Sequence, residues 1–225
     1  MSESDLRACI CEVGRRLCDK NLVAATDGNI SVRLDDGRFL CTPSGVSKGA
    51  MRPEDILIAD GTGNKIEGPG TVTSEFFTHL AAYEERLDIR SVVHAHPPTA
   101  IALTLAGISM ETPVIPEVVV AFGAIPTAPY ATPGTKEGAE AIREYIRRGD
   151  AVLLYRHGAV TVGQDPWDAY YRMEKIEHAA EIVFRVYVLG KTPPLLTGPQ
   201  VERLIACRTA YGPGGKAFPL PGGDT

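Results

Sequence analysis

The stretch NISVRLDDGRFLCT, residues 29–42, holds two strand-like runs separated by Asp35, Asp36 and Gly37. Isoleucine, valine, phenylalanine and threonine in these runs suit a pleated, half-buried surface. Asp-Gly closes a tight hairpin because its glycine accepts a left-handed backbone. The spacing therefore predicts an antiparallel pair, and whatever sheet the chain builds is antiparallel in at least one place. Working outward, further short runs read as strands: Ile56–Asp60, Ser91–Ala95, Val118–Phe122, Ala151–Arg156 and Ala159–Gly163. Apolar residues at three- and four-residue spacing mark helices between them. Leu6, Cys9, Ile10, Val13 and Leu17 form one such stripe, Phe76, Leu80, Tyr83 and Leu87 a second, and Met173, Ile176, Ala180, Val183 and Tyr187 a third. Residues 133–150 and 197–208 add two more helices. Strands alternating with helices around a hairpin predict an α/β fold with a mixed sheet and helices on both faces.

The 225 residues contain no repeat or long linker, and they read as one domain over residues 1–210. Residues 211–225, YGPGGKAFPLPGGDT, are too rich in glycine and proline for regular structure and read as a flexible tail. A net charge of −5 without any basic block argues against a nucleic-acid partner. No apolar run reaches the roughly 18 to 20 residues of a membrane span, and the polar start MSESDLR lacks signal-peptide character. These features point to a cytoplasmic protein. Its five cysteines, an odd number, read as reduced thiols, and Cys9 and Cys11 do not share a helix face.

Chemistry concentrates at SVVHAHPPTA, residues 91–100. Side chains alternate along a strand, so His94 and His96 point the same way, with α-carbons about 6.6 Å apart. Pro97 and Pro98 end the strand and can open a helix. Two convergent imidazoles form a chelate or, more plainly, two hydrogen-bonded histidines at a strand end. His157 also stands where a strand-like run reaches a turn, beside Gly158, which permits close backbone approach or an unusual dihedral. Glu75 falls in the first turn of a helix behind Thr73 and Ser74 as possible caps; a carboxylate there also complements the helix dipole. Three imidazoles and a carboxylate suit zinc with an exchangeable position for a substrate oxygen. His79 shares a helix face with Glu75, but it and His178 sit inside amphipathic helices and read as structural. TDGNIS (26–31) and TPSGVS (42–47) combine glycine with hydroxyl and amide side chains, as a nest for one phosphate requires, although singly each reads as a turn. Thr73 and Ser74 add a third anion-binding segment at a helix N-terminus.

TDGNISVR, TPSGVS, TSEFFTHLAAY, VVHAHPPTA, IPTAPYATPGT and LLYRHGAVTVG, in this order and spacing, resemble the class II aldolase/adducin family, most closely its fuculose-1-phosphate aldolase branch. The resemblance spans roughly residues 6–189. It implies a three-layer α/β/α fold on a mixed, mostly antiparallel central sheet, and a C4 homotetramer with active sites between subunits. It implies zinc (Zn2+) on His94, His96 and His157, with Glu75 as a fourth ligand that leaves the metal on substrate binding and becomes the general base. The substrate phosphate would lie against Thr26, Gly28, Asn29, Ser44, Gly45, Thr73 and Ser74. The position where that branch carries a tyrosine, used to protonate the leaving aldehyde oxygen, is Glu117 here, so the general acid is Glu117, Tyr130 or the tail residue Tyr211. The implied reaction is cleavage of a deoxyketose 1-phosphate to dihydroxyacetone phosphate and a small aldehyde. A 4-epimerase, an oxo-tetronate phosphate decarboxylase, a methylthioribulose-1-phosphate dehydratase and a non-catalytic adducin-like assembly domain are the alternatives that the superfamily offers.

Overall fold

The computed structural model describes residues 1–208 and 215–221. Among these, eight strands form one sheet: β1 (Asn29–Arg33), β2 (Phe39–Cys41), β3 (Leu57–Ala59), β4 (Lys65–Glu67), β5 (Ser91–Ala95), β6 (Thr127–Ala128), β7 (Ala151–Leu154) and β8 (Gly158–Gly163). Their order across the sheet is β4-β3-β2-β1-β5-β8-β7-β6. Only the β6–β7 pair is parallel, and the Asp35–Gly37 hairpin pairs β1 with β2 in antiparallel register, as the sequence indicates.

Seven helices cover the two faces: α1 (Glu3–Asp19), α2 (Phe76–Glu85), α3 (Pro98–Leu105), α4 (Pro116–Phe122), α5 (Lys136–Arg148), α6 (Pro166–Val188) and α7 (Gly198–Cys207). Their ends are chemically marked. Ser2 and Asp5 form a reciprocal capping box on α1, and Asp165 accepts from Asp168 N just before Pro166 opens α6. One face of the sheet, with Ile30, Val93, Ala95 and Leu153, packs against Ile10, Leu17, Leu103, Phe122, Met173 and Ile176 of α1, α3, α4 and α6. The other face, with Leu57, Val92, Val152, Val160 and Val162, packs against Phe76, Leu80, Ile142 and Ile146 of α2 and α5. Three layers follow, each aliphatic side chain contributing about 1.5–3 kcal/mol on burial. Alternation along β1 and β5 turns Asn29, Ser31 and His94 toward the α2 layer, because their neighbours Ile30 and Val93 serve the opposite core.

Two expectations need correction. Val118–Phe122 is α4, not a strand: Pro116 sets the helical φ of its first turn, Gly123 at φ 69° ends it, and Val118, Val119 and Phe122 bury one face. The stripe of α2 stops at Tyr83, and Leu87 is 85% exposed beyond the helix end. The chain turns there because the buried Arg86 donates to Asp88 and Asp150 and to the Ile146 and Gly149 carbonyls, tying α2 to the end of α5. Two short edge strands, the polar β4 and the two-residue β6, lack any sequence signature. In the expected tail, residues 215–221 have no helix or extended strand, yet Phe218 is buried and its N–H donates to Phe122 O at 2.7 Å.

Candidate metal centre

His94 is the fourth residue of β5, paired across the sheet with Asn29 of β1 on one side and Val160 of β8 on the other. His96 follows β5, its N–H donating to Leu22 O. His157 comes from the tight β7–β8 turn, where Arg156 takes a left-handed conformation at φ 66°. Gly158 is required beside it: a β-carbon there would meet Ala95 O at 2.4 Å and crowd His94 and His96. Glu75 sits at the N-cap position of α2 rather than inside the first turn, with its own N–H on Thr73 Oγ1 at 3.3 Å. Three chain segments thus deliver Glu75, His94 with His96, and His157, with one donor atom from each residue lying within 4.8 Å of the others.

The spacings discriminate. His94 Nε2 lies 3.1 Å from His96 Nε2 and 3.3 Å from Glu75 Oε2, and His157 Nε2 lies 3.3 Å from Glu75 Oε1. Ligand bonds of about 2.0–2.1 Å arranged tetrahedrally put donor atoms about 3.3 Å apart. The tautomers agree. His94 Nδ1–H donates to Ala159 O at 3.0 Å, and His96 Nδ1 faces Asp27 Oδ2 at 3.5 Å, so both Nε2 atoms carry lone pairs. Two lone pairs held 3.1 Å apart repel one another, and a cation between them removes the conflict. The outward hydrogen bond of His94 to Ala159 O is of the kind that fixes a metal-binding histidine. Burial lowers the pKa of His157 to about 4 and also lowers that of His96, which keeps both rings neutral. Burial works to raise the Glu75 pKa, but its polar neighbours, the Asn29 amide donor among them, outweigh it and hold the carboxyl well below its usual range. Neutral imidazoles and an ionised carboxylate are the forms that bind metal.

Behind Glu75 runs a chain of buried polar groups whose direction is fixed from one end. A carboxylate only accepts, so Asn29 must turn Nδ2 to Glu75 Oε2 at 3.1 Å and present Oδ1 to His79. His79 then donates from Nε2 and accepts at Nδ1 from Ser31 Oγ at 2.6 Å, and Ser31 accepts from the Tyr83 hydroxyl at 2.8 Å. His79 is fully buried with both ring nitrogens satisfied, and burial lowers its pKa to about 3. It is a hydrogen-bonded histidine of the core, as expected, and its neutral state follows from burial; His178 stands apart from the cluster on α6.

Thr26, Gly28, Asn29, Ser44, Gly45, Thr73 and Ser74 all line one cleft of about 810 Å³ that also reaches Glu75, His96 and His157. Gly28 at φ 73° and Gly45 at φ 71° supply the left-handed backbone of its turns. The loop after β6 crosses this cleft so closely that a β-carbon on Gly134 would sit 2.7 Å from Ser74 Oγ. A second, narrower recess on the other side shares Glu75, His157, Pro133 and Gly134 with the cleft, and Pro129, Ala131, Ala141 and Leu154 wall it. Glu117 lies on the exposed start of α4 and lines neither cavity. Tyr130 is 58% exposed and lines neither. Tyr211 lies outside the described residues. Sequence reasoning missed Asp27, Lys48 and Pro133, which also line the cleft; Asp27 stood inside a quoted turn, whereas Lys48 carries no local signal.

The model of the Class II Aldolase and Adducin N-terminal domain matches residues 8–184. The chain belongs to this family. Within it the chain is similar to the 5-deoxy-D-ribulose 1-phosphate aldolase of Bacillus thuringiensis, 33% identical over 201 residues that cover 88% of this chain and 93% of that protein. It is also similar to the 3-oxo-tetronate 4-phosphate decarboxylase of Haemophilus influenzae, 32% identical over 197 residues, 86% of this chain and 92% of that one. The crystal structure of L-fuculose-1-phosphate aldolase from Thermus thermophilus superposes with a TM-score of 0.74 at 33% identity, covering 85% of this chain and 98% of that chain. As a class II aldolase family member the chain is an enzyme on the three-layer fold, and its histidine and glutamate cluster can hold the metal ion such aldolases use.

Proposed function

We propose that the chain is a zinc-dependent aldolase that cleaves a deoxyketose 1-phosphate, of fuculose-phosphate type, into dihydroxyacetone phosphate and a small aldehyde. The observation that carries this reading is the spacing of His94, His96, His157 and Glu75, whose donor atoms lie within 4.8 Å of one another with neighbouring pairs 3.1–3.3 Å apart. Bound there, zinc supplies Lewis-acid polarisation of the substrate's carbonyl and hydroxyl oxygens. The hydroxyl and amide groups of Thr26, Asn29, Ser44, Thr73 and Ser74, with the backbone at Gly28 and Gly45, hold the phosphate in the cleft. Glu75 lines both the cleft and the recess, so it meets the carbon between phosphate and aldehyde. In the cleavage direction the carbon–carbon bond breaks with its electron pair staying on the phosphate-bearing fragment, the hydroxyl proton of the departing fragment passes to solvent as the aldehyde forms, and Glu75, having taken up a proton from solvent, delivers one to the carbon that remains. Asn29 orients that carboxylate.

The aldehyde end lies in the narrow recess, which contains no lysine or arginine. Its proline, alanine and leucine walls, with Thr78 and Tyr155 beside them, suit a small, weakly polar terminus such as that of a deoxy sugar. Glu117 handles the aldehyde oxygen from a neighbouring copy in a homotetramer. Its exposure on α4 leaves it free for such a contact, and the exposed Phe184, Tyr187, Val188, Leu189 and Leu195 support self-association. The five free thiols support a cytoplasmic setting; no helix among the described residues is long and apolar enough to cross a membrane.

Product analysis tests the reading. Mass spectrometry should find dihydroxyacetone phosphate from a 5-deoxypentulose 1-phosphate. A product lighter by one water would assign a dehydratase, an intact chain inverted at one centre an epimerase, and carbon dioxide from an oxo-tetronate phosphate a decarboxylase.

A further inference from the structure

Lys48 is only 1% exposed, a burial that lysine avoids unless its charge is answered. Its Nζ donates to Thr26 O at 2.9 Å and Val46 O at 2.6 Å. Both acceptors are neutral carbonyls, and they use two of its three N–H groups. Burial lowers its pKa, with Cys18 and Asp27 acting in the opposite sense. Asp27, the carboxylate it feels, is half exposed and engaged with His96 at 3.5 Å. Thr26 and Val46 belong to the two turns of the proposed phosphate nest, and Lys48 itself lines the cleft. It is the sole lysine or arginine among the residues that do so, facing two carboxylates, Asp27 and Glu75. If Lys48 served only to staple the turns, a neutral amide would satisfy the same carbonyls without bringing a charge into the interior. The charge is surplus to the fold and complementary to a phosphate.

We propose that Lys48 is the buried counter-charge for the substrate's phosphate, giving this site its preference for phosphorylated over neutral sugars. The proposal rests on the aldolase reading for which phosphate ester arrives. A compact ammonium fits this place because it acts through space from behind the turns, leaving their hydroxyl and amide groups to make the direct contacts. Asn29 and Thr73 then orient the phosphate while Lys48 supplies attraction that neutral donors cannot.

The test is a calorimetric titration of the full-length protein as purified with inorganic phosphate, in wild type, Lys48→Gln and Lys48→Arg. Lys48→Gln keeps donors for Thr26 and Val46 and deletes the charge. We expect its phosphate Kd to rise at least about 10-fold and its KM for the ketose phosphate to rise in parallel, with kcat held within about threefold, and Lys48→Arg to recover most of the loss. Near-UV circular dichroism confirms folding, and Lys48→Met, which removes an unpaired buried cation, is the second neutral variant. A folded neutral variant that binds phosphate as wild type does would overturn the proposal, and so would Lys48→Arg losing as much as Lys48→Gln. A wild type that binds phosphate but forms no dihydroxyacetone phosphate would sink the aldolase reading alone.

Discussion

Two buried histidines, His79 and His94, face the same layer of the fold and do opposite work. Both are at most 1% exposed. His79 has a partner for each nitrogen, Asn29 and Ser31, and the chain of donors ends in a tyrosine hydroxyl. His94 has one satisfied nitrogen, on Ala159 O, while the other is pressed against a second imidazole and a carboxylate. A buried histidine with two partners is part of the core. One whose lone pair meets other lone pairs is a ligand in waiting. The two regions meet at Asn29, which donates to Glu75 and accepts from His79, so each end holds the amide in place.

Breaking the ligand side should have the largest effect. His94→Ala or His157→Ala removes an imidazole from a four-donor set, and activity on the ketose phosphate should fall by about 10³-fold, read by a coupled assay for dihydroxyacetone phosphate. Glu75→Gln keeps the three imidazoles. Its metal content should stay near that of wild type, while exchange of the α-proton of dihydroxyacetone phosphate with deuterated water drops by about 10²-fold or more. Undiminished exchange in that variant would move the base elsewhere.

Breaking the structural side should cost less and look different. His79→Leu leaves Asn29 without its fixed orientation and Ser31 without an acceptor, so the turnover number should fall by about 10-fold with metal retained. Stability should drop by about 1–3 kcal/mol in urea titration for the orphaned polar groups. His79→Gln, which can still donate to Asn29, should recover part of the activity. A variant that is destabilised yet fully active would separate His79 from Glu75.

The smallest effect concerns acid. The His79 pKa is about 3 in the folded chain against an ordinary 6.5. Between these values the unfolded chain binds more protons, so stability rises with pH across this window and levels off above it. In His79→Leu this part of the acid limb should flatten, measured as unfolding midpoints between pH 4 and about 7. An unchanged slope would mean that other groups set the acid limit.

How much of this was legible in the sequence depends on whether the signal is local. The Asp35–Gly37 hairpin, the alternation of β5 and the proline-opened α3 are written in adjacent residues, and all three are present. The order and spacing of the histidine and glutamate motifs carried the family resemblance, and the four residues they single out converge. Val118–Phe122 misled because three successive valines favour a strand in isolation, while Pro116, Gly123 and packing against the core decide for a helix. Leu87 misled because periodicity does not register the Arg86–Asp150 pair, whose partners are 64 residues apart. Lys48 was invisible for the same reason, since a lysine in a loop becomes unusual only when its burial and its carbonyl partners are known. The role of His79 needed the reverse inference. Its helical spacing from Glu75 suggested a rival ligand, and only the partners of both ring nitrogens show that its lone pair is already used.

The central claim is that burial alone does not make a ligand and that the unsatisfied nitrogens do. Elemental analysis of purified protein tests it most directly, comparing wild type with His157→Ala and His79→Ala at equal protein concentration. About one zinc per chain in wild type and in His79→Ala, with the metal lost from His157→Ala, is the predicted result. Zinc stripped from His79→Ala and retained by His157→Ala, or a folded and active wild type without metal, would contradict it.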